Sequence, residues 1–244
     1  MSDNTNDQLV LVVGYSSTGK SASLRNIPNK SKWMYLNTES GKRLPFRGSK
    51  EFQSYIITDP HQVIEAFTHA TNNDDVDGII IDSLTFLMEQ YESQYVIPAV
   101  DGRKAWVQYQ QYFKTLMQQM VPAFNKPVII IAHVKDDVDE MTLETKTSVP
   151  IKGALKGTGI EAYFSCIVAA KRMPTKDLKG FESKLLNITT EEENQKFKYV
   201  FQTRLTSKTT GERIRSPMDL FTTEETYMDN DISILLDHLK EYYN

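Results

Sequence analysis

Cysteine is nearly absent from this chain of 244 residues, and long apolar runs are absent altogether. With Cys166 as the one cysteine, neither an internal disulfide nor a cysteine metal cluster can form. No apolar run approaches the ~20 residues that a membrane-spanning helix needs, and the polar start at residues 1–8 is not that of a signal peptide. We therefore expect a soluble cytoplasmic protein with no membrane partner.

The chain also lacks a strong net charge of either sign. Its formal net charge of −4 argues weakly against a nucleic-acid-binding protein. The charge is uneven, however, because residues 145–216 contain 14 lysines and arginines against 7 aspartates and glutamates. A basic segment on an acidic body is typical either of a stripe that binds a polyanion or of an ordinary solvated surface, and composition leaves both open.

What is present is a glycine-rich motif directly after an apolar run. Residues 14–21 spell G-x-x-x-x-G-K-S, and the run at 9–13 predicts the strand that leads into it. Glycines let the backbone N–H groups turn toward phosphates, and the helix predicted at 20–26 directs its positive end at them. The residues expected to bind ATP are Gly14, Tyr15, Ser16, Ser17, Thr18, Gly19, Lys20, Ser21 and Ala22.

A phosphate-binding loop of this kind also needs groups that handle charge. Lys20 is expected to neutralise the β- and γ-phosphates, and the Ser21 hydroxyl is expected to bind Mg²⁺. A second ligand for the metal normally stands at the end of an apolar strand, which is where the sequence has Asp82. The cofactors predicted are therefore ATP and Mg²⁺.

The general base is not next to Asp82. Many related ATPases have a glutamate directly after this aspartate, but here the next residue is Ser83. The base must then come from another strand, and the candidate is Glu39, just past the apolar run at 33–37. Glu39 could instead be a loop or helix-capping acid, in which case Glu89 and Asp59 are the next candidates.

Short apolar runs alternate with helical stretches along the chain, which predicts an α/β fold with a mainly parallel sheet covered by helices. Strands are predicted at about 9–13, 33–37, 54–58, 78–82 and 127–132, with later, antiparallel strands at 163–170 and 197–206. Helices are predicted at about 20–26, 60–71, 84–95, 103–123 and 231–243. Residues 134–158 show no clear periodicity and are predicted to form a long loop, which inside a compact domain is usually functional.

Several of these segments carry a family resemblance. The segments are Gly14–Ser21, Asn37-Thr38-Glu39, Ile79-Ile80-Ile81-Asp82-Ser83-Leu84 and Val128-Ile129-Ile130-Ile131-Ala132-His133. They resemble the matching segments of the RecA-like ATPases, and the histidine at 133 is similar to the compact bacteriophage members, including those classed as single-strand-annealing recombinases. The resemblance covers about residues 9–220 and implies a RecA-like P-loop NTPase core in the α/β class, acting in the host cytoplasm if viral. It leaves residues 1–8 as a disordered tail and 221–244 as an acidic segment with an amphipathic helix.

The resemblance implies roles for individual residues. A glutamate placed like Glu39 polarises the attacking water, and a polar residue placed like His133 senses the γ-phosphate and signals to a DNA-binding loop. His133 could instead be a strand-end histidine whose partners are backbone groups. A basic residue from a neighbouring subunit completes such sites, and the candidates are Arg204 and Lys208, with Arg213 and Arg215 as rivals.

The family also implies two DNA-facing loops, around 98–104 and 134–158. The residues expected to bind DNA are Arg103, Lys104, Lys146, Lys152 and Lys156. Lysines on a mobile loop suit phosphate contacts that ignore base sequence, and no aromatic platform for base stacking stands beside them. The acidic stretch at 136–140 would repel a phosphate backbone and is expected to face away.

These observations favour an ATPase that hydrolyses ATP slowly, stimulated by DNA, and assembles as a homo-oligomeric filament or ring on single-stranded DNA for recombination or annealing. A single-strand-binding or replication protein is a further expected partner. One alternative is a nucleotide switch that loads a replication or recombination protein. Another is a small-molecule kinase, but such enzymes carry an arginine-rich lid, and the nearest cluster here is Lys171-Arg172.

Overall fold

A single eight-stranded sheet forms the centre of the computed structural model, which describes residues 6–138, 140 and 144–244. Its strands are β1 (Leu9–Gly14), β2 (Trp33–Asn37), β3 (Gln53–Ile56), β4 (Gly78–Asp82), β5 (Val128–His133), β8 (Cys166–Pro174), β9 (Phe197–Gln202) and β10 (Tyr227–Asp229), and a separate hairpin is formed by β6 (Lys135–Val138) and β7 (Thr145–Ser148). The order across the sheet is β10-β9-β8-β1-β5-β4-β2-β3. Strands β3, β2, β4, β5, β1 and β8 run parallel to their neighbours, while β9 pairs antiparallel with both β8 and β10. The predicted α/β class with a mainly parallel sheet is confirmed.

Helices cover both faces of this sheet. They are α1 (His61–Thr71), α2 (Leu84–Tyr91), α3 (Gly102–Thr115), α4 (Val121–Phe124), α5 (Leu155–Thr158), α6 (Thr175–Leu178), α7 (Thr190–Gln195) and α8 (Ile232–Tyr243). One π-helical turn at Glu92–Val96 extends α2, and another at Leu116–Met120 joins α3 to α4. None of the helices in the described part of the chain is long and apolar enough to cross a bilayer.

Successive side chains of the central strands point to opposite faces of the sheet, which divides the core into two layers. Leu11 and Val13 of β1 point to the face covered by α1 to α4, whereas Val10 and Val12 point to the face covered by α8. All four are buried, as are the residues of β4 and most of β5, because a parallel sheet with helices on both sides hides both faces of its strands. The unbroken apolar runs in the sequence follow directly from this double burial.

The structure corrects three predictions of secondary structure. The segment 134–158 is not one long loop, because it contains the β6–β7 hairpin and the short helix α5. Each hairpin strand has four residues, too few for alternation to stand out in the sequence. The strand predicted at 163–170 is β8, which pairs parallel with β1 and antiparallel only with β9.

The helix predicted at 20–26 is a 3₁₀-helix over Ser21–Asn26. It stops there because Ile27 precedes Pro28, and a proline disfavours the α-region for the residue before it. Residues 1–5 of the expected tail, and Asp139 of the acidic stretch, lie outside the described residues.

Candidate active site

The phosphate-binding loop leaves the carboxyl end of β1 in the middle of the sheet. Gly14 has no room for a side chain, since a Cβ there would lie 2.6 Å from Thr18 Oγ1 and 2.7 Å from the Ala170 carbonyl oxygen. Ser17 and Gly19 adopt positive φ angles of 63° and 92°, which turn the chain back on itself. The loop thus encloses a concave backbone of the shape that accommodates phosphate oxygens.

Lys20 lies inside this loop with its ammonium group buried against the backbone. Its Nζ donates to the carbonyl oxygens of Gly14 at 2.9 Å and Tyr15 at 2.7 Å. Burial lowers the pKa of Lys20 to about 8 from 10.5, with a smaller lowering by Lys42 and opposing effects of Asp82 and Glu39. A desolvated cation held by two carbonyl groups is well placed to bind an anion that enters the loop.

Asp82, at the end of β4, lies opposite the loop and is nearly fully buried. One carboxylate oxygen, Oδ2, accepts hydrogen bonds from Ser21 Oγ at 2.8 Å and Tyr35 OH at 2.9 Å. The other oxygen, Oδ1, is buried without a hydrogen-bond partner among the described residues. Burial raises the pKa of Asp82, against the hydrogen bond from Ser21. A divalent cation would relieve both the burial of the charge and the unpaired oxygen, so the residues present fit Mg²⁺.

Glu39 reaches the same cleft from β2, because β2 and β4 run in parallel with Asn37 paired to Asp82. Two reciprocal hydrogen bonds of 2.7 Å between the Thr38 hydroxyl and the Ser83 backbone fix the strand ends to each other. The Glu39 side chain is only 9% exposed, although it follows the strand by two residues. It is therefore a buried member of the cleft rather than a surface acid.

Both carboxylate oxygens of Glu39 are hydrogen-bonded. His133 Nε2 lies 3.1 Å from Oε1, and Lys42 Nζ lies 2.7 Å from Oε2. The hydrogen bond with His133, followed by the bond and charge of Lys42, lowers the pKa of Glu39 to about 2, against the effect of burial. Of the other candidate bases, Asp59 accepts from Tyr95 OH at 2.5 Å and Glu89 is exposed, and neither lines the cleft.

His133, the last residue of β5, connects Glu39 to Lys20. Its Nδ1 lies 3.5 Å from Lys20 Nζ, and its backbone N–H donates to Thr85 Oγ1 at 2.9 Å. The ring also packs edge-on against Phe86, with centroids 5.7 Å apart. An ammonium group can only donate, so Nδ1 accepts and the Nε2 proton is donated to Glu39. The ring nitrogens thus face two of the charged side chains of the cleft, Lys20 and Glu39.

Other residues of the cleft were missed by sequence reasoning. They are Tyr35, Lys42, Arg43, Leu44 and Pro45, which line it together with the predicted residues Ser16, Ser17, Gly19, Lys20, Ser21, Ala22, Glu39, Asp82 and His133. The sequence does contain a signal for this part of the cleft: two cations, Lys42 and Arg43, directly follow the Ser40-Gly41 turn after Glu39. Lys171 and Arg172, the nearest cluster to the arginine-rich lid of a kinase, do not line this cleft, since Lys171 pairs with Glu212 at 2.5 Å and Arg172 lies over Phe197.

The hairpin that follows β5 touches the phosphate-binding loop directly. The Tyr15 hydroxyl donates to Asp136 Oδ1 at 2.5 Å, and Thr147 Oγ1 donates to the same oxygen at 2.7 Å. The Thr147 N–H also donates to the Gly211 carbonyl oxygen at 2.9 Å. A loop residue, both hairpin strands and the segment after β9 are therefore joined at one point.

The residues predicted to bind DNA are exposed but do not form one cluster. Lys146 lies on β7, and Arg103 and Lys104 lie in the first turn of α3. Lys152 is paired with Glu92 at 2.8 Å, and it lines with Lys156 a cleft between α2 and the segment after β7. The exposed positions are compatible with phosphate contacts, but Lys152 must give up an ion pair to make one.

The residues predicted to act on a neighbouring subunit lie after β9 on the surface. Arg204 is exposed, and its Nη1 donates to the Phe221 carbonyl oxygen. Lys208 is exposed and lines a shallow groove with Lys146 and Arg213. Neither Arg204 nor Lys208 lines the cleft that contains Lys20.

Comparison with known proteins identifies the family to which the chain belongs. No curated protein matches the chain. A family model described as an AAA domain matches residues 6–211, which is most of the chain and includes all the cleft residues named above. The phosphate-binding loop, the buried aspartate and the parallel sheet agree with that match. The chain therefore belongs to the AAA domain family and carries a nucleotide-binding, P-loop ATPase-like domain.

Proposed function

We propose that this protein hydrolyses ATP at the cleft between β1, β4, β2 and β5. The observation that carries the proposal is the connection from Lys20 through His133 to Glu39, beside the pair Ser21–Asp82. A cation for phosphate, oxygen ligands for a metal and a carboxylate for water are the groups that phosphoryl transfer to water requires. Mg²⁺, when bound by Ser21 and Asp82, would offset charge on the phosphates.

Three side chains of the cleft would each have a distinct role in hydrolysis. Lys20 binds the β- and γ-phosphates, and the backbone N–H groups of the loop surround them. Glu39 orients the water and accepts its proton as the new oxygen–phosphorus bond forms. His133 holds Glu39 in position and, through Nδ1, responds to movement of Lys20 when phosphate enters.

We further propose that the protein acts on single-stranded DNA in the manner of the RecA-like annealing recombinases. The support is the hairpin, which begins two residues after His133 and is hydrogen-bonded to the phosphate-binding loop through Tyr15 and Asp136. Lys146 on this hairpin and Lys156 after it are exposed. A change at the phosphate site can thus alter how these cations meet a DNA backbone.

A filament or ring would supply the remaining cation. Arg204 and Lys208 lie outside their own cleft, on an exposed segment after β9. In a homo-oligomer this segment can approach the cleft of a neighbouring copy and stabilise charge on the transferred phosphoryl group. Arg213 and Arg215, which are exposed further along the chain, are the rivals.

The test is ATP turnover measured alone, with single-stranded DNA and with candidate replication proteins. We expect slow basal turnover that rises with single-stranded DNA and disappears in Lys20→Ala, whereas Lys32→Ala, an exposed lysine at the opposite edge of the sheet, keeps it. Phosphate transfer to a nucleoside instead of water would identify a kinase. Stimulation by protein alone would identify a loader and contradict the DNA proposal.

A further inference from the structure

A second lysine of the cleft, Lys42, lies on a turn that the fold holds in place. The chain reverses after Glu39 through Ser40 and Gly41, whose φ angles are 54° and 78°. The backbone of Lys42 is held at both ends, because its N–H donates to the Glu39 carbonyl oxygen at 3.1 Å and its carbonyl accepts from Asn37 Nδ2 at 2.9 Å. The side chain itself is 66% exposed, so a fixed backbone carries a movable cation.

This cation occupies one of the two oxygens that Glu39 would use on water. With Lys42 on Oε2 and His133 on Oε1, the carboxylate has no oxygen without a charged or polar donor. The low pKa of Glu39, near 2, describes a poor proton acceptor. Departure of one of the two donors would raise the basicity of Glu39 and open one of its oxygens to water.

Lys42 is the donor that can leave. His133 is fixed by β5, by the Thr85 hydroxyl and by the Phe86 ring, whereas the Lys42 ammonium group has Glu39 as its one hydrogen-bond partner among the described residues. Lys42 also lines the same cleft as Lys20, Ser16 and Ser17, so its ammonium group lies beside the phosphate-binding loop. A triphosphate entering the cleft brings several negative charges, which compete with a single carboxylate for this ammonium group.

We propose that Lys42 is a catalytic residue that exchanges Glu39 for the γ-phosphate when ATP binds. The exchange frees Oε2 of Glu39 for the attacking water and places a cation of the same chain on the phosphoryl group. Water then forms the new oxygen–phosphorus bond and its proton passes to Glu39, while the bond to the β-phosphate oxygen breaks and ADP leaves with the electron pair. This inference rests on the proposed ATP hydrolysis and adds to it a cation in cis beside any supplied by a neighbour.

The test compares ATP with ADP at equilibrium in a background that does not turn over. In Glu39→Gln, we expect the added change Lys42→Ala to weaken ATP binding about tenfold or more and ADP binding by less than about twofold. Lys42→Arg in the same background should keep most of the preference for ATP, and Lys32→Ala should change neither affinity. Equal losses for ATP and ADP, or no loss, would overturn the inference.

Turnover separates this role from simple restraint of Glu39. In the otherwise unchanged chain, a γ-phosphate ligand predicts that Lys42→Ala lowers ATP turnover at least about tenfold, while ADP affinity and the circular dichroism spectrum stay the same. A residue that only restrains Glu39 predicts faster turnover, which would contradict the proposal. If Glu39→Gln with Lys42 intact binds neither nucleotide, the proposed function itself fails, and that result differs from all of these.

Discussion

At the scale of single residues, the side chains around Glu39 control its basicity. Lys42 and His133 hold its two oxygens, and Lys20 in turn touches the ring of His133. The three contacts form a chain from the phosphate-binding loop through His133 to Glu39 and Lys42. Chemistry at one end can therefore reach the other without movement of the backbone.

Glu39→Gln should keep nucleotide affinity and lose hydrolysis by at least about a hundredfold, the usual size of a general-base effect. Glutamine preserves the shape and one of the two acceptor oxygens but cannot accept the proton of water. The measurement is single-turnover hydrolysis beside equilibrium binding of ATP. Glu65→Gln, on the exposed face of α1, is the matched control. Normal hydrolysis in the mutant would move the base to another acid.

The same substitution should show a pH-dependent effect on stability. The pKa of Glu39 falls from its ordinary value of 4.5 to about 2 in the folded protein, so its ionised form stabilises the native state. This contribution is fully present above pH 4.5 and is lost as the pH falls through about 2. The destabilisation caused by Glu39→Gln, measured by urea unfolding, should thus be smaller at about pH 3 than at about pH 7. A difference that does not change with pH would contradict the ion-pair geometry.

At the scale of elements, the β6–β7 hairpin and the segment after it form the proposed DNA surface. Changing Lys146, Lys152 and Lys156 together to alanine should lower the slope of log affinity against log salt by about 0.7 per lost phosphate contact. Basal ATP turnover should change little. The control is the same triple change to alanine at Lys30, Lys32 and Lys50. These lysines precede β2 and β3 and so lie at the amino ends of the strands, away from the cleft. An unchanged slope would shift the DNA site to Arg103 and Lys104 or to the 171–184 region.

The Tyr15 hydroxyl group attaches the hairpin to the phosphate-binding loop. Tyr15→Phe removes the donor to Asp136 and should increase amide hydrogen exchange in the hairpin strands, at residues 135–138 and 145–148. Tyr55→Phe, on edge strand β3 and similarly exposed at 44% against 46%, should leave that exchange as it is. Equal protection in Tyr15→Phe would mean that other contacts hold the hairpin.

The sequence predicts buried elements better than exposed ones, for a physical reason. Strands β2 and β4 have the bounds predicted, because two covered faces require an unbroken apolar run. The β6–β7 hairpin leaves no such trace, since its eight strand residues are exposed or half-buried. Lys42 was missed for a related reason: its position depends on a turn, and a lysine in a loop is normally a solvated charge.

At the scale of the whole molecule, the C-terminal segment is part of the core. Leu235 and Leu239 of α8 are fully buried in the layer that also contains Leu24 of the 3₁₀-helix after the phosphate-binding loop. Arg25 Nη1 donates to the Asn230 carbonyl oxygen at 2.6 Å, and Asn26 Nδ2 donates to Asp231 at 2.5 Å. The segment 221–244, expected from the sequence to be acidic with an amphipathic helix, therefore packs against the helix that follows the phosphate-binding loop and supports the nucleotide site.

Leu239→Ala should accordingly reduce the free energy of unfolding by about 2–5 kcal/mol, the range for a large-to-small change in a closed core. The neighbouring exposed residue provides the control, since Lys240→Ala removes no buried contact of comparable size. Urea unfolding followed by tryptophan fluorescence gives both values. A loss below about 1 kcal/mol would indicate that α8 is packed only loosely on the sheet.

The contacts of Arg25 and Asn26 with residues 230 and 231 affect when the nucleotide site can form during translation. The contacts of Arg25 and Asn26 join residues 205 positions apart, and β1, the first strand synthesised, lies between β5 and β8 in the finished sheet. During translation the phosphate-binding loop thus emerges long before its neighbours in the sheet, and the contacts of the helix that follows it with Asn230 and Asp231 can form only after those residues have been made. The nucleotide site is therefore assembled from segments that are made far apart in time, and a nascent chain gains the full support of this site only after residues 230 and 231 have been made.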